Sequence, residues 1–129
     1  MDDKEHQQRG LKTRRKVLGD AWVDRSEAGR NSFNSEWFDS INGGVWAQVW
    51  TRPLLDERTR RVLVMGTLLA LGRWDEFRLH VRAALTQGGF SADEIKEIIF
   101  QQSHYCGVPA GNHAMREAGD VLKELGKLG

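Results

Sequence analysis

A glutamate and a histidine four residues apart are the pair in this 129-residue chain best suited to proton transfer. Glu76 and His80 lie in the stretch from Gly72 to Gly88, where apolar residues recur at helical spacing. Residues four apart on a helix are neighbours, so the two side chains share one edge. The carboxylate can orient the imidazole, raise its pKa and leave its second nitrogen for a substrate. A solvent-exposed ion pair has the same spacing, so both interpretations are open from this pattern alone.

Tryptophan is the other residue type with a possible role in a site. An indole offers a flat apolar surface and one hydrogen-bond donor, which suits either the wall of a small-molecule pocket or an ordinary core. Of the five tryptophans, Trp46 and Trp50 share a predicted helical face, and Trp74 lies two residues before Glu76.

Composition narrows the class of protein. The charged residues nearly cancel, at 19 basic against 18 acidic, so no electrostatic footprint for nucleic acid or an anionic membrane is present. The single cysteine, Cys106, excludes an internal disulfide framework, and we expect it to serve in packing. The longest apolar run, residues 62–71, is too short to cross a bilayer, and no apolar leader begins the chain. We expect a soluble, cytoplasmic protein that binds neither nucleic acid nor membrane.

Known cofactor motifs are missing from the sequence. It has no phosphate loop, no dinucleotide fingerprint and no Cys-x-x-Cys pair. The spacings of His80, His104 and His113 match no familiar metal-ligand pattern. We therefore expect chemistry without a cofactor or a metal.

The elements that must position these residues are predicted to be helices throughout. We expect one all-α domain over residues 1–129 with about six helices, divided into an N-terminal helix and loop (1–30) and a helical core (31–129). Gly66 predicts close approach of a neighbouring helix, and Gly72 and Gly88-Gly89 predict helix ends. Ser91 to Glu94 is predicted to form a capping box. In the first half of the chain we expect a helix over 3–18, a loop over 24–34 and a helix from 35 that Gly43-Gly44 interrupts. A central helix over 57–71 opens with charge and is apolar on every side over 62–71. An isoleucine-striped helix after Ser91, a break over 104–109 and a last helix over 110–125 complete the prediction.

An ordered series of motifs resembles the carboxymuconolactone decarboxylase family. The series comprises Trp46-Ala-Gln-Val-Trp50-Thr-Arg-Pro53, then Thr59-Arg60, then Asp75-Glu76-Phe-Arg-Leu-His80-Val-Arg-Ala-Ala84, then Tyr105-Cys-Gly-Val-Pro109-Ala-Gly-Asn112. The resemblance covers roughly residues 8–118. It implies an alkylhydroperoxidase D-like helical fold that assembles into homo-oligomeric rings, as trimers or hexamers. It also implies cofactor-free decarboxylation of 4-carboxymuconolactone to 3-oxoadipate enol-lactone, in the β-ketoadipate branch of protocatechuate and aromatic catabolism.

The resemblance also places the active positions at Glu76 and His80. His80 could deliver the proton or donate a hydrogen bond to the dienolate intermediate of this reaction, with Glu76 orienting it and keeping it protonated. Alternatively, Glu76 could itself be the acid. Because the family's substrate carries two carboxylates, we expect arginines to hold it. The substrate-binding candidates are Arg52, Arg58, Arg61, Trp46, Trp50, Trp74 and His104, although the arginines would serve equally in surface ion pairs.

Several alternatives remain. Departures from the family pattern at Arg58, Arg61 and Trp74 leave room for decarboxylation or double-bond isomerisation of another small unsaturated acid. A non-catalytic helical binding module is the alternative of a different class. Thiol peroxidase activity, found in the same superfamily, is disfavoured because the positions of its two cysteines hold Arg73 and Glu76.

Overall fold

The computed structural model describes residues 2–129 and is all-helical over that range, with no strand. The chain forms two compact units, which divide between Glu57 and Arg58. The predicted division at residue 30 within a single domain stays a prediction. None of the helices formed by residues 2–129 has the length and apolarity that a bilayer crossing needs. The helices are α1 (Asp3–Leu18), α2 (Asp20–Ala28), α3 (Ser35–Ile41), a π-helical segment (Asn42–Val49), α4 (Glu57–Leu71), α5 (Trp74–Thr86), α6 (Ala92–Cys106) and α7 (Val108–Glu124).

The N-terminal unit is built on close packing of α1 against the π-helical segment. Gly10 is buried, and a Cβ there would lie 1.5 Å from the carbonyl oxygen of Asn42, so only glycine allows this approach. Arg14 is also buried and donates to the Ser26 hydroxyl at 2.9 Å and to Asn42 Oδ1 at 3.4 Å. Burial lowers the pKa of Arg14, and the Glu27 carboxylate opposes that effect. This polar cluster joins α1, α2 and the π-helical segment.

Two predictions for this unit were wrong. The loop predicted over 24–34 begins only at Gly29, because α2 continues to Ala28 and places Ser26 and Glu27 within reach of buried Arg14. Gly43-Gly44 does not interrupt the helix but continues α3 as the π-helical segment. There packing on α1 outweighs the poor helix propensity of glycine, and a Cβ at Gly43 would be 3.5 Å from the Gln7 side chain.

The C-terminal unit has its own apolar core, to which α4 to α7 all contribute. The largest fully buried members are Met65, Leu69, Phe77 and Ile95. The capping box at Ser91 is confirmed, and Gly72 ends α4 with a φ of 68°. The principal buried residues are Met65, Leu69, Phe77, Val81, Ala84, Ile95, Ile99, Ala114, Ala118 and Val121, with Cys106 packed against them.

The close approach predicted at Gly66 is confirmed, although the neighbour is a side chain rather than a helix backbone. A Cβ at Gly66 would lie 2.8 Å from Nε2 of Gln102 on α6. That amide donates to the Gly66 carbonyl at 3.4 Å. Gln102 therefore occupies the space that a side chain at residue 66 would need.

The prediction that α4 is a central helix, made because residues 62–71 are apolar on every side, was wrong. Its buried face holds Arg61, Met65, Gly66 and Leu69, whereas Leu63 and Leu71 are 55% and 63% exposed. The exposed side borders α6 in an open apolar groove of about 530 Å³. The break predicted over 104–109 shrinks to Gly107, whose φ of 100° lets α7 begin at once with Pro109 in its first turn.

Candidate active site

The helix α5 carries both predicted catalytic residues but places them in different surroundings. Its core face, with Phe77, Val81 and Leu85, fixes the rotation of the helix. Glu76 is exposed, whereas His80 is largely buried and its Nδ1 atom is sealed from solvent. The two side chains share a helix edge but differ in exposure: the Glu76 carboxylate faces water, whereas the His80 imidazole is mostly enclosed by protein.

The protonation state of His80 differs from the prediction. Burial, and after it the positive charge of Arg61, lower the pKa of His80 from 6.5 to about 4. Glu76 is not among the groups that act on this pKa. The expectation that Glu76 keeps His80 protonated was therefore wrong, because Glu76 turns towards solvent while Arg61 acts on the ring. At neutral pH His80 is a neutral imidazole.

Arg61 is the most deeply buried of the predicted arginines. Its side chain, from the first turns of α4, is 1% exposed. The side chain runs along Gly88 beyond α5, where a Cβ would lie 2.8 Å from Nε of Arg61. Arg61 and His80 therefore place a buried cation and a neutral imidazole in one electrostatic environment.

Arg58, one turn earlier on α4, already has partners. Its guanidinium forms an ion pair with Glu94 in the first turn of α6 and lies over the Phe90 ring, 4.0 Å from the ring centroid. Arg58 and Glu94 are each close to half exposed. This arrangement ties the start of α4 to the start of α6, and the substrate-binding role of Arg58 stays a prediction.

Trp74 packs between helices. Its indole stacks on the imidazole of His113 from α7, with centroids 4.0 Å apart, and meets the edge of Phe77 at 5.6 Å. One indole face is thereby taken up by α7. Its predicted role as a pocket wall stays a prediction.

The other two tryptophans belong to the N-terminal unit. Trp46 is buried and stacks on Trp50, with centroids 5.1 Å apart and planes at 19°. Trp50 and exposed Arg52 line a cavity of about 300 Å³ together with Thr13 and Lys16. The substrate-binding roles predicted for Trp46, Trp50 and Arg52 stay predictions.

His104 lies on the surface near the end of α6. Its Nδ1–H donates to the carbonyl oxygen of Phe100 one turn back, at 2.9 Å. It shares a surface depression with Glu97 and Tyr105. The substrate-binding role predicted for His104 stays a prediction.

Comparisons with known proteins relate this chain to a family of decarboxylases. Residues 35–120 match the model of the carboxymuconolactone decarboxylase family. The chain belongs to this family. It is 43% identical over 126 residues to 4-carboxymuconolactone decarboxylase of Acinetobacter baylyi, which covers 98% of this chain and 93% of the relative. It is also 33% identical over 106 residues to nitrosuccinic acid decarboxylase of Metarhizium robertsii, which covers 82% of this chain and 73% of that protein.

Two residues of this decarboxylase-family chain contribute to the packing around the candidate site in ways that the sequence patterns did not predict. His113 provides the stacking partner of Trp74, and Gly88 leaves the space that Arg61 occupies. Neither role follows from helical periodicity, because each depends on which helix faces another. The glycine pair at 88–89 was the one visible signal, and it predicted only the end of α5. Within residues 2–129 no group of three His, Cys, Asp or Glu side chains is placed to hold a metal ion.

Proposed function

We propose that this chain is a carboxy-lyase that converts 4-carboxymuconolactone to 3-oxoadipate enol-lactone and carbon dioxide without a cofactor. The observation that carries the proposal is the 43% identity, along 98% of the chain, to the relative named 4-carboxymuconolactone decarboxylase. The buried cation and neutral imidazole of Arg61 and His80 support it, because an anionic intermediate needs such groups. The proposed setting is protocatechuate breakdown in the cytoplasm.

The reaction requires stabilisation of a transient anion. When the carbon–carboxylate bond breaks, its electron pair moves through the ring alkene onto the lactone carbonyl and forms a dienolate. A proton then adds to carbon. An environment with little water favours loss of carbon dioxide, and a fixed cation and hydrogen-bond donor lower the energy of the dienolate.

The low pKa of His80 decides how the roles are divided. A neutral imidazole is a poor acid but a good hydrogen-bond donor, so we assign His80 to the dienolate oxygen. We assign Arg61 to electrostatic stabilisation of the same charge. Glu76 is exposed one turn away, and we assign it to proton transfer: its carboxylate takes up a proton from solvent, passes it to the dienolate carbon and so returns to the carboxylate.

The test is turnover of 4-carboxymuconolactone by metal-free protein, measured as carbon dioxide released. Glu76→Gln, His80→Ala and Arg61→Met should each lower kcat by about 10²-fold, since each removes a group used in the transition state. Arg116→Met, at an exposed position on α7 outside the candidate site, is the control for Arg61→Met. Full turnover by Arg61→Met or His80→Ala would remove that residue from the mechanism, and Arg52→Met tests carboxylate binding through KM.

A related acid is the second candidate substrate, and the relative named for nitrosuccinic acid favours it. Loss of a carboxylate next to a nitro group also leaves a delocalised anion, so the same electrostatic devices would serve. Steady-state kinetics with both acids separate the candidates. A higher kcat/KM for 4-carboxymuconolactone supports the first proposal, and the reverse result supports the second.

We further propose that the chain assembles with copies of itself, as trimers or hexamers. The supporting observation is the open apolar groove between α4 and α6, in which Leu63 and Leu71 are more than half exposed. Exposed apolar grooves of this kind are typical of contact surfaces. Light scattering should give a mass of three or six chains, and Leu63→Glu should shift it towards one.

A further inference from the structure

Gly88 follows α5 and is adjacent to a second glycine whose role is different. Gly89 has a φ of 70°, a conformation that favours glycine, and a Cβ at this position would meet no atom within 4 Å. Gly88 is not among the glycines with positive φ and is partly buried. Backbone conformation therefore explains the glycine at position 89, but it does not explain the glycine at position 88.

The neighbours of Gly88 supply the reason. A Cβ there would lie 2.8 Å from Nε and 2.9 Å from Cδ of Arg61, and 3.0 Å from the carbonyl oxygen of Ala84. The two Arg61 atoms lie in the middle of its side chain, which is 1% exposed. Arg61 therefore could not make room for a methyl group at position 88 by rotating only the end of its side chain into water. It would have to displace the guanidinium within close-packed surroundings.

We propose that Gly88 is a positioning residue for the active site: its missing side chain leaves the slot that holds the Arg61 guanidinium where its charge acts on His80. The charge of a side chain from α4 thereby acts on a residue of α5. The catalytic part of this inference rests on the proposed function, whereas the structural part does not.

The first measurement is an NMR titration of the four histidine rings in the whole protein, with the His80 signal assigned by its loss in His80→Gln. In the unaltered protein the pKa of His80 should be about 4. In Gly88→Ala it should rise above that value but stay below 6.5, because the charge of Arg61 moves away while burial, the larger cause, remains. Gly119→Ala is the matched control, since a Cβ at Gly119 meets nothing within 4 Å. A folded Gly88→Ala protein with an unchanged His80 titration would overturn the proposal.

The second measurement is a double-mutant cycle with Arg61→Met, which uses kcat and the midpoint of thermal unfolding. If Gly88 acts through Arg61, adding Gly88→Ala to Arg61→Met should cost little, because the displaced atoms are gone. Costs that add in full would overturn the proposal. If Gly88→Ala alone fails to fold, recovery of folding in the double variant supports the proposal, and equal unfolding of both contradicts it.

These readouts also separate this inference from the proposed function. The titration and the unfolding cycle need no substrate. A protein that shows the expected His80 change but does not decarboxylate 4-carboxymuconolactone would retain the role of Gly88 and lose the proposed reaction.

Discussion

The imidazole of His113 lies flat on the indole of Trp74, with ring centroids 4.0 Å apart and planes at 18°. Trp74 is the first residue of α5, and His113 lies in the second turn of α7. His113 Nε2 is 3.2 Å from a Glu117 oxygen, and the other oxygen of that carboxylate accepts from Arg78 of α5. The stack and the ion pair therefore join the same two helices from adjacent turns.

Loss of this stack should destabilise the protein without unfolding it. We expect His113→Ala to lower the free energy of unfolding by about 1 kcal/mol, the usual contribution of an aromatic pair beyond burial. His113→Phe keeps a ring against Trp74 and should recover most of that loss. Urea unfolding followed by circular dichroism measures both. Equal loss in the two variants would show that the contact to Glu117, rather than the stack, supplies the stability.

Gly10 should tolerate no side chain. Because a Cβ there would lie 1.5 Å from the backbone oxygen of Asn42, Gly10→Ala must separate α1 from the π-helical segment. We expect a loss of about 3 kcal/mol or more in the free energy of unfolding, typical of overpacking at a rigid contact. Gly44→Ala is the control, since a Cβ there meets nothing within 4 Å, and it should be neutral or slightly stabilising. Similar stabilities for the two variants would contradict this packing.

Local signals in the sequence were enough for the helical class and for many helix ends. The Ser91 capping box, the Gly72 stop and the isoleucine stripe of α6 act within one or two turns, so their structural effects follow from neighbouring residues. The prediction failed where distant residues decide. Contacts with Arg14 keep residues 24–28 helical, and packing on α1 keeps Gly43 in a helical path.

In the candidate site, too, local features were predictable and features set by distant residues were not. Periodicity placed Glu76 and His80 on one edge of α5, but it could not give the burial of each side chain. The charge that acts on His80 comes from Arg61, 19 positions earlier on another helix, and only the tertiary structure brings the two residues near each other. The protonation state of an imidazole is therefore a tertiary property, although its position on a helix is a local one.

Arg78 should contribute to stability through its network of carboxylates. It contacts Glu117 at 3.0 Å and Glu124 at 2.8 Å, and its bond to Glu117 lowers the pKa of that carboxyl group. We expect Arg78→Met to lower the free energy of unfolding by about 1 kcal/mol at low salt. The difference should shrink in 1 M salt, where surface charges are screened. Arg116→Met, at an exposed position on α7, is the matched control and should change little.

The buried neutral state of His80 predicts that stability falls in mild acid. The unfolded chain takes up a proton at this residue near pH 6.5, whereas the folded chain does so only near pH 4. Between these values the unfolded state binds more protons, so acid favours unfolding. The contribution is fully present above pH 6.5 and is lost as the pH falls to about 4, by at most about 3 kcal/mol.

The measurement is the free energy of unfolding of the unaltered protein and of His80→Gln at several pH values between 4 and 7. Carboxylates with lowered pKa values, such as Glu27 and Glu117, also lose stabilising charge in acid, but they do so equally in both proteins. The difference between the two curves therefore isolates His80. It should narrow as the pH falls from 6.5 to 4, because glutamine carries no proton to take up. Parallel curves over this range would mean that His80 is not held neutral by burial and Arg61, and the hydrogen-bonding role proposed for its neutral ring would lose its basis.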